Sequence, residues 1–199
     1  INMKKILSAK AFNHITTYDM AISVYYNKIF RNNTKLNRSY DKSMILKYGC
    51  NPHQKFGAIY NIDDKNPFKV LNGKCGYINI IDAIHSWQLV KELSDCLEMS
   101  CAASFKHTSP AGVGTSKKLP DILRKIYDVE DYDLSPLATA FIRARNSDPM
   151  SSFGDFIALS HEVDVSTAKL IKRYISDGVV APGYSDEALE ILRSKRGGN

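Results

Sequence analysis

The stretch from Asn79 to Phe105 constrains the fold more than any other part of the sequence. Ile80, Ala83, Ile84, Trp87, Val90, Leu93 and Leu97 recur at helical spacing and predict a helix over 79–97. Cys101-Ala102-Ala103-Ser104-Phe105 follows at once, a run of small and apolar residues that reads as a strand. The same alternation returns downstream. Ser135-Pro136 predicts a helix start running through Phe141 and Ile142, since serine caps and proline suits the first helical position. Phe156-Ile157-Ala158-Leu159 reads as a buried strand, Ser166 to Ile175 as a helix and Val179-Val180-Ala181 as a strand. Ser185 to Lys195 reads as a last helix closed by Gly197. Strands alternating with helices predict an α/β fold.

The first part of the chain has a different grammar. From Ala9 to about Phe30, Ala21, Ile22, Val24, Tyr25 and Ile29, with Thr17 and Asp19 as cap candidates, predict one amphipathic helix that needs a partner surface. Arg31 to Ser43, rich in Asn32, Asn33, Thr34, Asn37 and Ser39, carries neither period and reads as a linker. Lys47 to Gln54 is turn-rich, because Gly49 and Asn51-Pro52 both interrupt regular structure. Ala58-Ile59-Tyr60 and Phe68-Lys69-Val70-Leu71 are short strand candidates flanked by Asp63-Asp64 and Asn72-Gly73 turn signals. The division expected is 1–30, 31–45 as linker, and 46–199.

With 199 residues, 44% of them hydrophobic, the chain can bury roughly 70% of the surface its unfolded form exposes. No apolar run reaches the length of a membrane span, so a membrane role is set aside. Lys4 and Lys5 are followed by no apolar segment of a secretory signal, and the expected compartment is the cytoplasm. An opening on Ile1, and a stop at Gly197-Gly198-Asn199 directly after a helix-like run, predict a truncated piece of a longer protein. Cys50, Cys75, Cys96 and Cys101 form no CxxC pair, so neither a disulfide framework nor a zinc knuckle is expected. The net charge of +6 suits nucleic acid or small anionic substrates equally, but no basic stripe interleaved with aromatics appears, and nucleic-acid binding is not expected.

Lys106 and His107 fall at the carboxyl end of the predicted strand, where α/β folds place ligands, and open a loop running to Gly112. A histidine titrating near neutrality can take a proton from an amine during acyl transfer, and a neighbouring lysine can hold a developing oxyanion or feed a proton to the leaving nitrogen. The competing reading of the pair is solvated loop polarity before a Pro-Gly turn. A second loop of small residues, Met150-Ser151-Ser152-Phe153-Gly154-Asp155, offers backbone N–H groups to an anion. Lys47-Tyr48, a cation and a phenol beside Gly49, reads either as a phosphate site or as surface polarity. Asp177, in Ser176-Asp177-Gly178, reads as a helix-terminating turn or a ribose acceptor. His14, His53, His85 and His161 lack metal-ligand spacing.

In their order, KYGCNPHQ, LNGKCGYINIIDAIHSWQLVKEL, ASFKHTSPAGVG, MSSFGDFIALS and SDGVVAPGYSDEALEIL resemble the aminoimidazole-carboxamide ribonucleotide (AICAR) transformylase part of a bifunctional purine-synthesis enzyme family that also carries inosine monophosphate (IMP) cyclohydrolase. The likeness runs from about Leu46 onward, and the helix up to Phe30 resembles the close of the family's cyclohydrolase domain. The resemblance implies a cytidine-deaminase-like three-layer unit, the first of two in the transformylase, and a homodimer with its sites at the subunit interface. It implies 10-formyltetrahydrofolate as co-substrate and AICAR as acceptor. His107 would act as base and Lys106 as transition-state stabiliser. Lys47, Tyr48, Gly154 and Asp177 would bind the nucleotide, with Met150 and Phe153 shaping the pocket. The deaminases' H-x-E and P-C-x-x-C signature is missing, so no zinc is expected. Lys47 stands where the family usually has arginine, keeping the charge but losing the bidentate fork. The family's second transformylase unit does not follow, so the alternative is a catalytically inactive fragment serving nucleotide binding or dimerisation.

Overall fold

A computed structural model describes residues 2–31, 34–62 and 66–195. The chain forms two compact units, Ile1–Ile45 with Ala58–Lys69, and Leu46–Gly57 with Val70–Asn199.

The first unit holds one helix and one hairpin. Helix α1 spans Met3–Ile29, opened by Asn2, whose side chain accepts from the Lys4 N–H at 3.1 Å. It begins six residues before the apolar period does, and none of its residues is buried. Strands β1 (Asp41–Ile45) and β2 (Ala58–Asn61) pair antiparallel with a bulge between Lys42 and Met44. The polar stretch read as linker therefore ends in a strand from Asp41. Backbone hydrogen bonding to β2 decides its conformation where side-chain pattern did not. Phe68-Lys69-Val70-Leu71 forms no strand: its exposure alternates as in an extended segment, but it joins no ladder. Asn32, Asn33, Asp63, Asp64 and Gly197 lie outside the described residues.

The second unit is a mixed four-stranded sheet between helices, in the order β4-β3-β5-β6. Helix α2 (Tyr77–Leu97) starts at Gly76, whose N–H donates to Asn79 Oδ1 at 3.0 Å. Strand β3 (Cys101–Lys106) pairs antiparallel with β4 (Ser109–Thr115) on one side and with β5 (Asp155–Leu159) on the other. Strand β6 (Ser176–Val180) runs parallel to β5. Helices α3 (Asp121–Ile126) and α4 (Pro136–Ser147) lie between β4 and β5, α5 (Val165–Arg173) lies between β5 and β6, and α6 (Asp186–Arg193) follows β6. Ser135, Asp164 and Ser185 cap α4, α5 and α6 through their side-chain oxygens.

Side-chain alternation divides the sheet into two cores. Cys101, Ala103 and Phe105 of β3, with Phe156 and Ala158 of β5, pack toward Ala83 and Val90 of α2. Ala102, Ile157 and Leu159 face the other way, into a core with Phe141, Ile142, Leu170 and Ile171 of α4 and α5. The result is a three-layer α/β unit whose central strands are buried on both faces.

Two expectations fail here. The segment read as a loop from Lys106 to Gly112 is mostly strand β4. Ser-Pro-Ala-Gly-Val-Gly reads as a loop, but β4 is an edge strand, where the missing N–H of Pro110 is tolerated. Its glycines have a packing reason. A Cβ on Gly112 would stand 2.1 Å from the Ala144 carbonyl oxygen and one on Gly114 2.3 Å from that of Ala140, so α4 lies directly on the bare backbone. Of the two readings of Ser176-Asp177-Gly178, the helix-terminating turn fails: the segment is the start of β6, and α5 already ends at Arg173. Gly114→Ala is accordingly expected to destabilise the protein by about 1–3 kcal/mol, because backbone must give way. Urea unfolding measures this, and an unchanged midpoint would show that α4 can shift at no cost.

Candidate active site

Strand β3 ends at Lys106 and β4 begins at Ser109, so His107 and Thr108 form a two-residue hairpin turn. Both have positive φ, 51° and 65°. Such turns suit Asn-Gly; ordinary L residues resist them by about 1–2 kcal/mol each, and a β-branched threonine is a genuine outlier. The turn leaves the His107 side chain exposed at the mouth of the sheet.

Lys106 does not extend into solvent. Its ammonium donates to the carbonyl oxygens of Phe153 (3.1 Å) and Gly154 (2.5 Å). An ammonium has three N–H donors, so one remains to meet whatever occupies the site. Gly154 makes the approach possible. Its φ is +68°, and a Cβ there would stand 2.9 Å from Lys106 Nζ and 3.8 Å from Asp177 Oδ1. The loop Met150–Asp155 thus folds over the lysine, with Phe153 61% exposed and Met150 89% exposed beside it.

Beneath this loop lies a buried polar cluster. Ser104 Oγ lies 2.6 Å from Asp155 Oδ2 and 2.8 Å from Ser152 Oγ. Arg145 Nε of α4 lies 3.8 Å from Asp155 Oδ2, and both side chains are buried. The guanidinium also donates to the Pro149 carbonyl at 3.0 Å and stacks 5.0 Å from the Tyr174 ring centre. Burial pushes the Asp155 carboxyl above its ordinary range, against the opposing pull of the Ser104 hydrogen bond and Arg145.

A second buried acid reaches the hairpin from the other layer. Asp82 of α2 is 5% exposed, and its Oδ1 accepts the Thr108 N–H at 2.7 Å. Burial raises its pKa, the Thr108 amide lowers it, and His107, Lys106 and Asp177 all lie within electrostatic range.

The structure therefore brings together Lys106, His107, Phe153, Gly154 and Asp177. Lys47 and Tyr48 lie at the start of α2: the Lys47 N–H donates to the Cys75 carbonyl at 2.9 Å, and a Cβ on Gly76 would stand 3.2 Å from the Tyr48 ring. Among the described residues no hydrogen bond joins them to Lys106 or His107. Sequence reasoning missed Asp82, Arg145, Asp155 and Ser104. The available signal for the acids was a charge on an apolar helix row, Asp82 in line with Ser86 and Val90, and one opening an apolar strand at Asp155. A cavity of about 390 Å³, lined by residues including Lys118 and Arg124, lies at the opposite end of the hairpin and contains none of the predicted residues. Among the described residues, no three of His, Cys, Asp and Glu gather as metal ligands, and no helix is long and apolar enough to cross a membrane. All four cysteines are free thiols.

Fold and site together define an α/β protein with a lysine-histidine corner at a strand's carboxyl end. The model of the AICARFT/IMPCHase bienzyme family matches residues 1–199, and the chain belongs to that family. It is 35% identical over 203 residues to the bifunctional purine biosynthesis protein PurH of Halalkalibacterium halodurans, with 97% of this chain and 35% of that protein covered. To the protein of the same name from Fusobacterium nucleatum it is 34% identical over 200 residues, with 97% and 34% covered. The chain spans about a third of the length of these relatives.

Proposed function

We propose that this chain serves purine biosynthesis by contributing to the transfer of a formyl group from 10-formyltetrahydrofolate to AICAR, within a protein that is also an IMP cyclohydrolase. The observation that carries the reading is the Lys106 ammonium, held by the Phe153 and Gly154 carbonyls beside an exposed His107, in a chain matched by the family over its whole length. Transfer of a formyl group requires the acceptor amine to lose a proton and the formyl oxygen to carry negative charge in the transition state. His107 takes that proton. The remaining N–H of Lys106 faces the developing charge, and it does so preorganised, since the other two donors already have partners.

In this reading Gly154 and Asp177 meet the ribose side of the nucleotide. Lys47 and Tyr48, at the N-terminal end of α2 where backbone amides favour anions, meet its phosphate. Met150 and Phe153 wall the pocket. The three-layer unit is of the cytidine-deaminase-like kind, acts without zinc in a cytoplasmic homodimer, and spans 46–199, with 31–45 as connector and 1–30 as the close of the cyclohydrolase domain. The mixed sheet with its opening hairpin supports that fold assignment.

The test is a formyl-transfer assay on the protein that carries this chain, with AICAR and 10-formyltetrahydrofolate, together with calorimetry of AICAR binding. Transfer supports the reading. Binding without transfer favours the alternative of a non-catalytic nucleotide-binding piece, and neither binding nor transfer overturns both nucleotide readings and leaves dimerisation alone.

A further inference from the structure

Asp82 is a charge where its helix provides no reason for one. It sits in the second turn of α2, on the row that continues through Ser86 to Val90, and it is buried. Its side chain reaches out of the helix altogether to accept from the Thr108 amide, 26 residues away. That amide belongs to the turn in which His107 and Thr108 both hold positive φ without glycine. Such a turn needs an outside restraint. A carboxylate accepting a backbone N–H makes a stronger bond than a neutral acceptor, and a buried carboxylate deprived of its donor is costly. The acid and the turn therefore stabilise each other. The charged or titratable groups that face Asp82 are Lys106 and His107 from the hairpin and Asp177 from β6.

We propose that Asp82 is a positioning residue for the formyl-transfer site: by holding the Thr108 amide, its carboxylate fixes His107 in the left-handed turn that presents the imidazole beside Lys106. This rests on the reading of His107 as the base. Asp82 touches backbone and not the reacting atoms, so it acts on kcat through His107 and leaves substrate binding largely alone.

The experiment pairs amide exchange with kinetics on the protein that carries this chain. Asp82→Ala is expected to speed hydrogen exchange at the Thr108 amide and to lower kcat roughly 10–100-fold, the worth of one charge-assisted hydrogen bond, with KM little changed. Adding Thr108→Gly to Asp82→Ala is expected to recover much of that kcat, because glycine adopts positive φ freely. A merely structural role for Asp82 predicts no such rescue. Unchanged Thr108 exchange, unchanged kcat, or failure of the glycine to rescue overturns the proposal. Should Asp82→Ala not fold, Asp82→Asn keeps the shape and weakens the bond, and the same two readouts decide. Thr108 exchange needs no turnover, so absence of formyl transfer in the unmutated protein would overturn the function while exchange still judged the role of Asp82.

Discussion

Replacing His107 by alanine is expected to lower kcat for formyl transfer by about 10²–10⁴-fold, the usual worth of a positioned general base. The fold should hardly notice. The side chain is exposed at the hairpin tip, and alanine, like histidine, is an L residue held at a φ of 51°, at an added cost of at most about 1 kcal/mol. The effect therefore belongs to kcat and not to KM or to melting temperature. Steady-state kinetics with a thermal melt on the same sample separate the two. A His107→Ala protein with full turnover removes the residue from the chemistry.

The second large effect is on stability. Arg145→Met removes the guanidinium but keeps much of its bulk, leaving Asp155 buried without its ion-pair partner and with only the more weakly acting Lys195 as a nearby cation. Breaking a buried pair from one side costs about 3–5 kcal/mol. Here the cost should depend on pH. Burial already raises the Asp155 pKa in the intact pair, and loss of Arg145 raises it further. A carboxyl whose folded pKa is raised contributes stability that is present at low pH and lost as pH rises through the folded value. The penalty of Arg145→Met is therefore largest at neutral pH and shrinks as the solution is acidified through the raised pKa toward the ordinary carboxylate range. Urea unfolding of both proteins from pH 7 down to about pH 4, the ordinary carboxylate range, measures it. A penalty that stays constant over that whole range would mean that Asp155 is not the group Arg145 serves. Removing both, as Arg145→Met with Asp155→Leu, is expected to cost less than Arg145→Met alone at pH 7, because no charge is left stranded.

The helices and central strands were legible because burial on a helix or strand imposes a period. Ser135-Pro136 and the 79–97 stripe located α4 and α2 closely, and Phe156 to Leu159 lies wholly within β5. Edge strands impose no such period. β4, with Pro110, Gly112 and Gly114, is defined by what α4 needs of it, and β1 by its pairing with β2. The site divided along the same line. Lys106 and His107 were readable as a polar pair at a strand end, and Asp177 only as a turn residue or a ribose acceptor. Asp82 and Arg145 were not, because a charged residue on a helix is ordinarily a surface residue. Only their tertiary neighbours, the Thr108 amide and Asp155, give them their meaning.

The two-residue turn also bears on the order in which the sheet assembles. A hairpin closed by Asn-Gly can zip within microseconds and seed the strands around it. His107-Thr108 gives no such seed, since both residues oppose the conformation the closed turn demands. The shortest-range pairing in the sheet is therefore a poor nucleus. The other pairings close longer loops: β5 against β6 joins Asp155 to Ser176, and β3 against β5 joins segments such as Ser104 and Asp155, 51 residues apart. Chain topology is then expected to set the pace of folding: the loop between β3 and β5 must close before the central strands gain from meeting, and the His107-Thr108 hairpin tip is expected to lock last.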